Sequence, residues 1–208
     1  MAFDKREQRK AAEKDRQKNE ILDVARREFA AKGYEGVLMN EIAERSGYSV
    51  GHIYNVIGKK DALFEAVLMR DGAQLAALVE AEFEAHENKP VRECIDGLID
   101  TVMGFFDSHR EFFEIYLNET GGMRANIERR WAKSLCELKK QTDERVGELF
   151  ARAVKEGAMA DLDAADMAVA FSELINGFIA SWAVGGYTGN VSEKSDVIKH
   201  ILWNGIQR

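Results

Sequence analysis

Residues 21–68 read ILDVARREFAAKGYEGVLMNEIAERSGYSVGHIYNVIGKKDALFEAVL, and the spacing of apolar residues in this stretch decides the fold. Ile21, Leu22, Ala25, Phe29 and Ala30 recur at three- and four-residue steps, which places them on one face of a first helix. Ile42 and Ala43 mark the buried side of a short second helix. Gly47 breaks that helix, and Ser49 is positioned to cap a third by accepting the free N–H of Gly51 or His52. The third helix runs through Asn55. Two short helices joined by a glycine turn form the geometry that presents an α-helix to a DNA major groove. Ser49, Val50, His52 and Asn55 belong on its outer face and Ile53 on its inner face. Polar groups there reach base edges and phosphates, Val50 offers an apolar contact to a thymine methyl, and Gly51 allows a close backbone approach.

Around this stretch, composition narrows the class. One proline among 208 residues, with abundant Ala, Leu, Glu, Lys and Arg, fits an all-α protein of one or two modest domains. The net charge of −7 argues against nucleic acid until its distribution is read. Through Arg70 there are 14 Lys/Arg against 12 Asp/Glu, and beyond it 15 against 24. The acidic bulk and the DNA candidate are thus separate parts of the chain. Lys5, Arg6, Arg9, Lys10, Lys14, Arg16 and Lys18 crowd the segment before the first helix, with Asp4, Glu7, Glu13 and Asp15 among them. That segment reads either as a solvated extension, partly disordered or helical, or as an arm that tracks phosphates.

No apolar run approaches the roughly 20 residues that span a bilayer, and Met1–Lys5 is no secretory signal. A cytoplasmic protein with no membrane partner is expected. Cys94 and Cys136 stand apart without metal-ligand spacing and read first as structural thiols, second as a redox pair. His52, His86, His109 and His200 are scattered, and no GxxxxGK[ST] or GxGxxG occurs. No catalytic residue, metal or cofactor is therefore expected. An enzyme of all-α layout and a helical adaptor without sequence-specific DNA binding stand as alternatives.

Gly33-Tyr34, Glu41-Ile42-Ala43, Ser46-Gly47-Tyr48-Ser49, Gly51-His52-Ile53-Tyr54 and Lys60-Asp61-Ala62-Leu63-Phe64 together resemble the signature of tetracycline-repressor (TetR) regulators. The resemblance implies a three-helix helix-turn-helix domain, a long linking helix and a C-terminal helical domain for effector binding and dimerisation, about nine helices in all. It divides the chain into an arm at 1–18, a DNA-binding domain at 19–66 and an effector and dimerisation domain at 67–208. It implies that Tyr54 contacts a phosphate, the alternative being a core tyrosine. It also makes Lys60 the lysine that opens the fourth helix, where ammonium and helix N-terminus both favour an anion. The DNA-binding set is then Ser49, Val50, Gly51, His52, Tyr54, Asn55, Lys59 and Lys60. Three positions depart from the family pattern. Val37-Leu38-Met39 stands where a hydroxyl residue usually caps the second helix, leaving Asn40 as a substitute cap. Val56-Ile57 replaces an aromatic pair, and Lys59 replaces a Ser or Asn cap.

Beyond Leu68 the helical pattern continues to about Ala85, and Pro90 fits the first turn of the next helix, which runs to about Asp107. Ser108-His109-Arg110-Glu111 reads as a capping box, and Gly121-Gly122 closes the helix it opens. Further helices follow at about 123–156, 164–184 and 192–206. Met103, Phe106, Phe113, Tyr116 and Trp131, with the polar Asn118, Glu119 and Asn176, are the candidate lining of an apolar effector pocket. Aromatic core is the competing reading. Phe171, Ile175, Phe178, Trp182, Val197 and Ile201 lie on apolar faces of the last two helices and are candidates for a homodimer interface built as a four-helix bundle. The implied partners are an operator duplex, a small effector and a second copy.

Overall fold

The computed structural model describes residues 2–120 and 130–205, with side chains described outside 2–4, 116–136 and 138. Among the described residues, every regular element is helical. These are α1 Ala2–Gly36, α2 Met39–Ser46, α3 Val50–Val56, α4 Lys60–Ala85, α5 Val91–Ser108, α6 Arg110–Thr120, α7 Arg130–Lys155, α8 Ala164–Val184 and α9 Ser195–Asn204. A 3-10 turn at Val191–Lys194 leads into α9. The expected all-α architecture is the one observed. The chain divides into two compact units, Met1–Asp71 with Glu114–Ser134 and Gly72–Phe113 with Leu135–Arg208.

The first unit closes around Ile21, Leu22, Ala25, Phe29, Ile42, Ile53, Leu63 and Phe64, all buried. Phe29 and Phe64 meet edge to face at 4.7 Å between centroids. Each such ring contributes about 1.5–3 kcal/mol by leaving water. The helical backbone of α1 is interrupted at Gly33, whose φ of 67° favours glycine. Tyr34 then packs its edge on Phe64 at 5.1 Å and bonds Asp61 through its hydroxyl, tying the end of α1 to the start of α4. Two buried carboxylates add ionic ties. Glu28 on α1 holds Arg45 of α2 and, at 3.0 Å, Lys32, which also reaches Glu41 at 2.8 Å. Asp71, 1 % exposed, binds Arg26 at 3.2 Å and Arg70 at 3.0 Å.

In the second unit, α5 buries Val91, Cys94, Ile95, Leu98, Ile99 and Met103, while α8 buries Ala168, Phe171, Ile175, Ile179 and Trp182. The Asp163 carboxylate caps α8 by accepting the N–H groups of Ala165 and Asp166. The α9 region is pinned to α5 by polar bonds. The Asp107 carboxylate accepts Val191 N–H at 2.7 Å and Ser192 N–H at 3.4 Å, together with the Ser192 hydroxyl at 2.5 Å. Lys199 bonds Asp100 at 2.6 Å, and Trp203 Nε1 donates to Asp96 at 2.7 Å.

The segment before Asn19 takes the helical form among its expected alternatives, continuous with α1 from Ala2. Several expectations need correction. Asn40 does not cap α2; Leu38 holds the cap position with no side-chain bond. Ser108 forms no capping box, since its hydroxyl donates back to Phe105 O at 3.3 Å and α6 begins at Arg110. Pro90 is the cap residue of α5 rather than its first helical residue. Among the described residues, α8 is long and apolar enough to cross a membrane by length and composition, with mean hydropathy 1.4, against the expectation that no such run exists. Its polar residues, Asp166, Ser172, Glu173, Asn176 and Ser181, are too sparse to offset the Ile, Leu, Phe and Trp around them. The expected end of α6 at Gly121-Gly122, and Ile206, fall outside the described residues.

Candidate nucleic-acid interface

α3 is a seven-residue helix presented by its neighbours. Gly47, at φ 73°, ends α2 in the left-handed region, and Tyr48 N–H donates to Ala43 O at 3.1 Å to finish that turn. Ser49 then caps α3, its hydroxyl accepting His52 N–H at 3.1 Å. Ile53 is the fully buried residue of α3 and anchors it to the core. Ser49, Gly51, Tyr54 and Asn55 are exposed, while Val50 and His52 are half-buried. Ile53 is inward and Ser49 and Asn55 are outward where the spacing placed them, whereas Val50 and His52, expected on the outer face, are partly covered.

Tyr54 is 46 % exposed, which removes the core-tyrosine reading and leaves its ring and hydroxyl on the outer surface. His52 is less available than its spacing implied. Its ring stacks on Tyr48 at 4.9 Å and 14°, and its Nε2 is buried without a described partner. Tyr48 in turn donates its hydroxyl to Glu20 at 2.5 Å, and this bond to a carboxylate pushes the phenol pKa up. The stack braces the first turn of α3 against α1. Sequence spacing did not flag Tyr48 or Glu20, because their 28-residue separation leaves no periodic trace.

Lys59 is exposed and its carbonyl accepts Leu63 N–H at 2.9 Å, beginning α4 without a side-chain cap. Lys60 opens α4 but is engaged: its ammonium donates to Glu35 O at 3.3 Å and sits 4.6 Å over the Tyr34 ring. Leu38, 62 % exposed, supplies an apolar surface where the family pattern has a hydroxyl.

Four of the eight candidate effector residues have described side chains. Met103, Phe106 and Phe113 are buried in a packed aromatic cluster, with Phe106 at 5.3 Å from both Phe105 and Phe113. Asn176 is half-buried on α8. The side chains of Tyr116, Asn118, Glu119 and Trp131 lie outside those described. A cleft of about 410 Å³ runs between α4, α5 and α7, lined by Glu80, Phe83, Glu84, Glu87, Cys94, Arg145, Glu148, Leu149 and Arg152. Of the expected residues whose side chains are described, Met103, Phe106, Phe113 and Asn176, none lines it. Arg145 bridges Glu80 and Glu148 there, and burial pushes the Cys94 thiol up. Of the candidate interface residues, Phe171, Ile175 and Trp182 are buried within their own unit. Phe178 and Ile201 are half-buried and Val197 is exposed.

Residues 21–67 match the family model of bacterial regulatory proteins of the tetR family. The HTH-type transcriptional repressor AcnR of Corynebacterium efficiens is 29 % identical over 187 residues, covering 88 % of this chain and 90 % of the relative. The AcnR of Corynebacterium glutamicum is 28 % identical over the same shares. Among solved structures, the fatty acid degradation regulator FadR of Bacillus halodurans superposes with a TM-score of 0.80 at 15 % identity, covering 92 % of this chain and 97 % of that one. FadR of Bacillus subtilis, solved with stearoyl-CoA, superposes at 0.75 with 16 % identity over 90 % and 98 %. A family model that spans only the recognition unit and repressors that align far beyond it agree on one placement, among regulators rather than enzymes: residues 21–67 match the tetR family of bacterial regulatory proteins, and the chain is similar to HTH-type repressors over most of its length.

Proposed function

We propose that the chain is a homodimeric transcriptional repressor that holds operator DNA through α3 and releases it when a small ligand binds its C-terminal body. The observation that carries this reading is the construction of α3. It is a capped helix with one anchoring side chain, Ile53, and an outward row of Ser49, Gly51, Tyr54 and Asn55. Ser49, His52 and Ile53 fix the helix in place, and Tyr54 and Asn55 are left facing outward. Lys59 at the adjoining turn offers a point charge for phosphate. The repressor names of the relatives and the acyl-CoA in one structural neighbour support the same assignment.

The dimer is read from α8 and α9. With Phe171, Ile175, Ile179 and Trp182 turned to their own unit, the flank of α8 beside them carries Ala170, Gly177, Ser181 and Val184 exposed and Leu174 and Phe178 half-buried. Val184 is 90 % exposed, and open space surrounds Gly177. Val197 and Ile201 continue an apolar surface on α9. A second copy covering this face accounts for the apolar length of α8 without a bilayer, and it pairs two copies of α3 for a two-fold operator. A ligand releases DNA only by binding the DNA-incompetent arrangement more tightly.

Incubation of the purified chain with a random duplex pool, followed by salt titration on the enriched sequence, tests the reading. Enrichment of a two-fold symmetric site with affinity at least about 1000-fold above random DNA is expected. Equal affinity for all duplexes at low salt overturns it.

A further inference from the structure

We propose that the first 18 residues form a second DNA-contacting element, a helical prolongation of α1 that lays a stripe of cations along phosphates flanking the site read by α3. The inference rests on the repressor reading above and adds a surface to it.

The stripe is Arg6, Lys10, Lys14 and Lys18, four exposed residues at i, i+4 spacing and so neighbours along one row of the helix. No ion pair is described for any of them among the described residues, whereas Arg16, close by on another row, is held by Glu13 and Glu20, each at 2.6 Å. The contrast bears on stability. Glu13, Arg16, Gln17 and Glu20 support the helix locally through their bonds. Arg6/Lys10, Lys10/Lys14 and Lys14/Lys18 are each like-charge pairs, which oppose helix formation. A lattice of anions laid against that row removes the opposition.

Position points to the same partner. The row leads into Leu22 and Arg26, and since each step turns about 40° round the axis, only its Lys18 end lies beside the side of α1 that covers the recognition unit, the stripe winding about 120° from there to Arg6. Glu20, one turn beyond Arg16, is where Tyr48 bonds and braces the first turn of α3 through its stack on His52. The extension therefore departs from α1 beside the entrance of the recognition helix. From Arg6 to Lys18 the stripe is about 18 Å long at 1.5 Å per residue. One DNA strand presents a phosphate about every 3.4 Å, so the stripe is matched in length to roughly five of them. The occupant that fits regular anions over that length is duplex backbone just outside the base-contacted site.

The test uses the full-length chain and a duplex enriched by it, prepared with and without one helical turn, about 10 base pairs, of flank on each side. The fourfold variant Arg6→Gln, Lys10→Gln, Lys14→Gln, Lys18→Gln keeps good helix formers at exposed positions, and circular dichroism checks that its helix content is unchanged. Expected is a shallower log–log salt dependence on the flanked duplex, by about 0.9 for each cation that meets a phosphate, with loss of flank protection from hydroxyl radicals and retention of central protection. Lys5→Gln with Arg9→Gln, on a row that Glu13 interrupts, is expected to change the slope less. Equal slopes and equal flank protection for wild type and the fourfold variant overturn the inference while leaving the repressor reading intact. So does a variant that loses only binding to anionic phosphatidylserine vesicles. A chain that enriches no duplex removes both.

Discussion

Of the seven residues of α3, Ile53 alone is buried, whereas α8 buries Ala168, Phe171, Ile175, Ile179 and Trp182 and still leaves Val169 at 61 % and Val184 at 90 % exposure. Both helices turn an unused face outward, but the two faces differ in chemistry. On α3 the outward side chains are a hydroxyl, an amide and a phenol, groups that lose little by staying in water until a hydrogen-bonding partner arrives. On α8 the exposed positions include Val169, Val184 and small residues beside Asp166 and Glu173, with Leu174 and Phe178 half-buried, an apolar surface that water disfavours and close helix packing rewards. The difference teaches that the first surface is built for a partner that comes and goes. The second suits one that stays.

Substitutions can break this contrast. Trp182→Ala removes a ring that is 9 % exposed and donates from Nε1 to Gly189 O at 3.2 Å. It should cost about 3–5 kcal/mol of stability, read as a lowered urea midpoint. A cost below about 1 kcal/mol would put Trp182 on the partner-facing side after all. Phe178→Glu with Val197→Glu charges the outward side and should weaken dimerisation about 100-fold, equivalent to ~2.7 kcal/mol, with the monomer fold kept. Analytical ultracentrifugation showing an unchanged dimer would move the interface elsewhere. Tyr54→Phe removes one hydroxyl from the outer face of α3. It should weaken operator binding about tenfold, equivalent to ~1.4 kcal/mol, with no shift in melting temperature. A large melting shift with unchanged DNA affinity would return Tyr54 to a structural role.

Legibility from sequence followed the same divide. Gly47, Ser49 and Ile53 each carry a local signal, a left-handed turn, a cap and an anchor, and the second and third helices stand where those signals placed them. α8 was legible at both ends because Asp163 caps it and glycines follow it. Which side of α8 faces its own core was not legible, since an apolar helix shows no contrast between a buried side and a partner side until its neighbours are known. The helical state of residues 2–18 was legible only as one alternative to disorder. No apolar period marks it, and its support is propensity plus local bonds such as Arg16 to Glu13 and Glu20. The clasps at Glu28 and Asp71 were missed because a charged residue amid apolar ones reads as surface until its partner, 17 or 45 residues away, is brought beside it.

The polar ties that hold α9 to α5 span 84 to 107 residues of chain. At translation speeds of about 5–20 residues per second, the surface of α5 that Asp96, Asp100 and Asp107 border waits roughly 5–20 s on the ribosome for its cover. During that interval the apolar side of α5 lacks the cover that α9 brings, whereas α2 and α3 meet the helix they pack on, α1, within a few tens of residues.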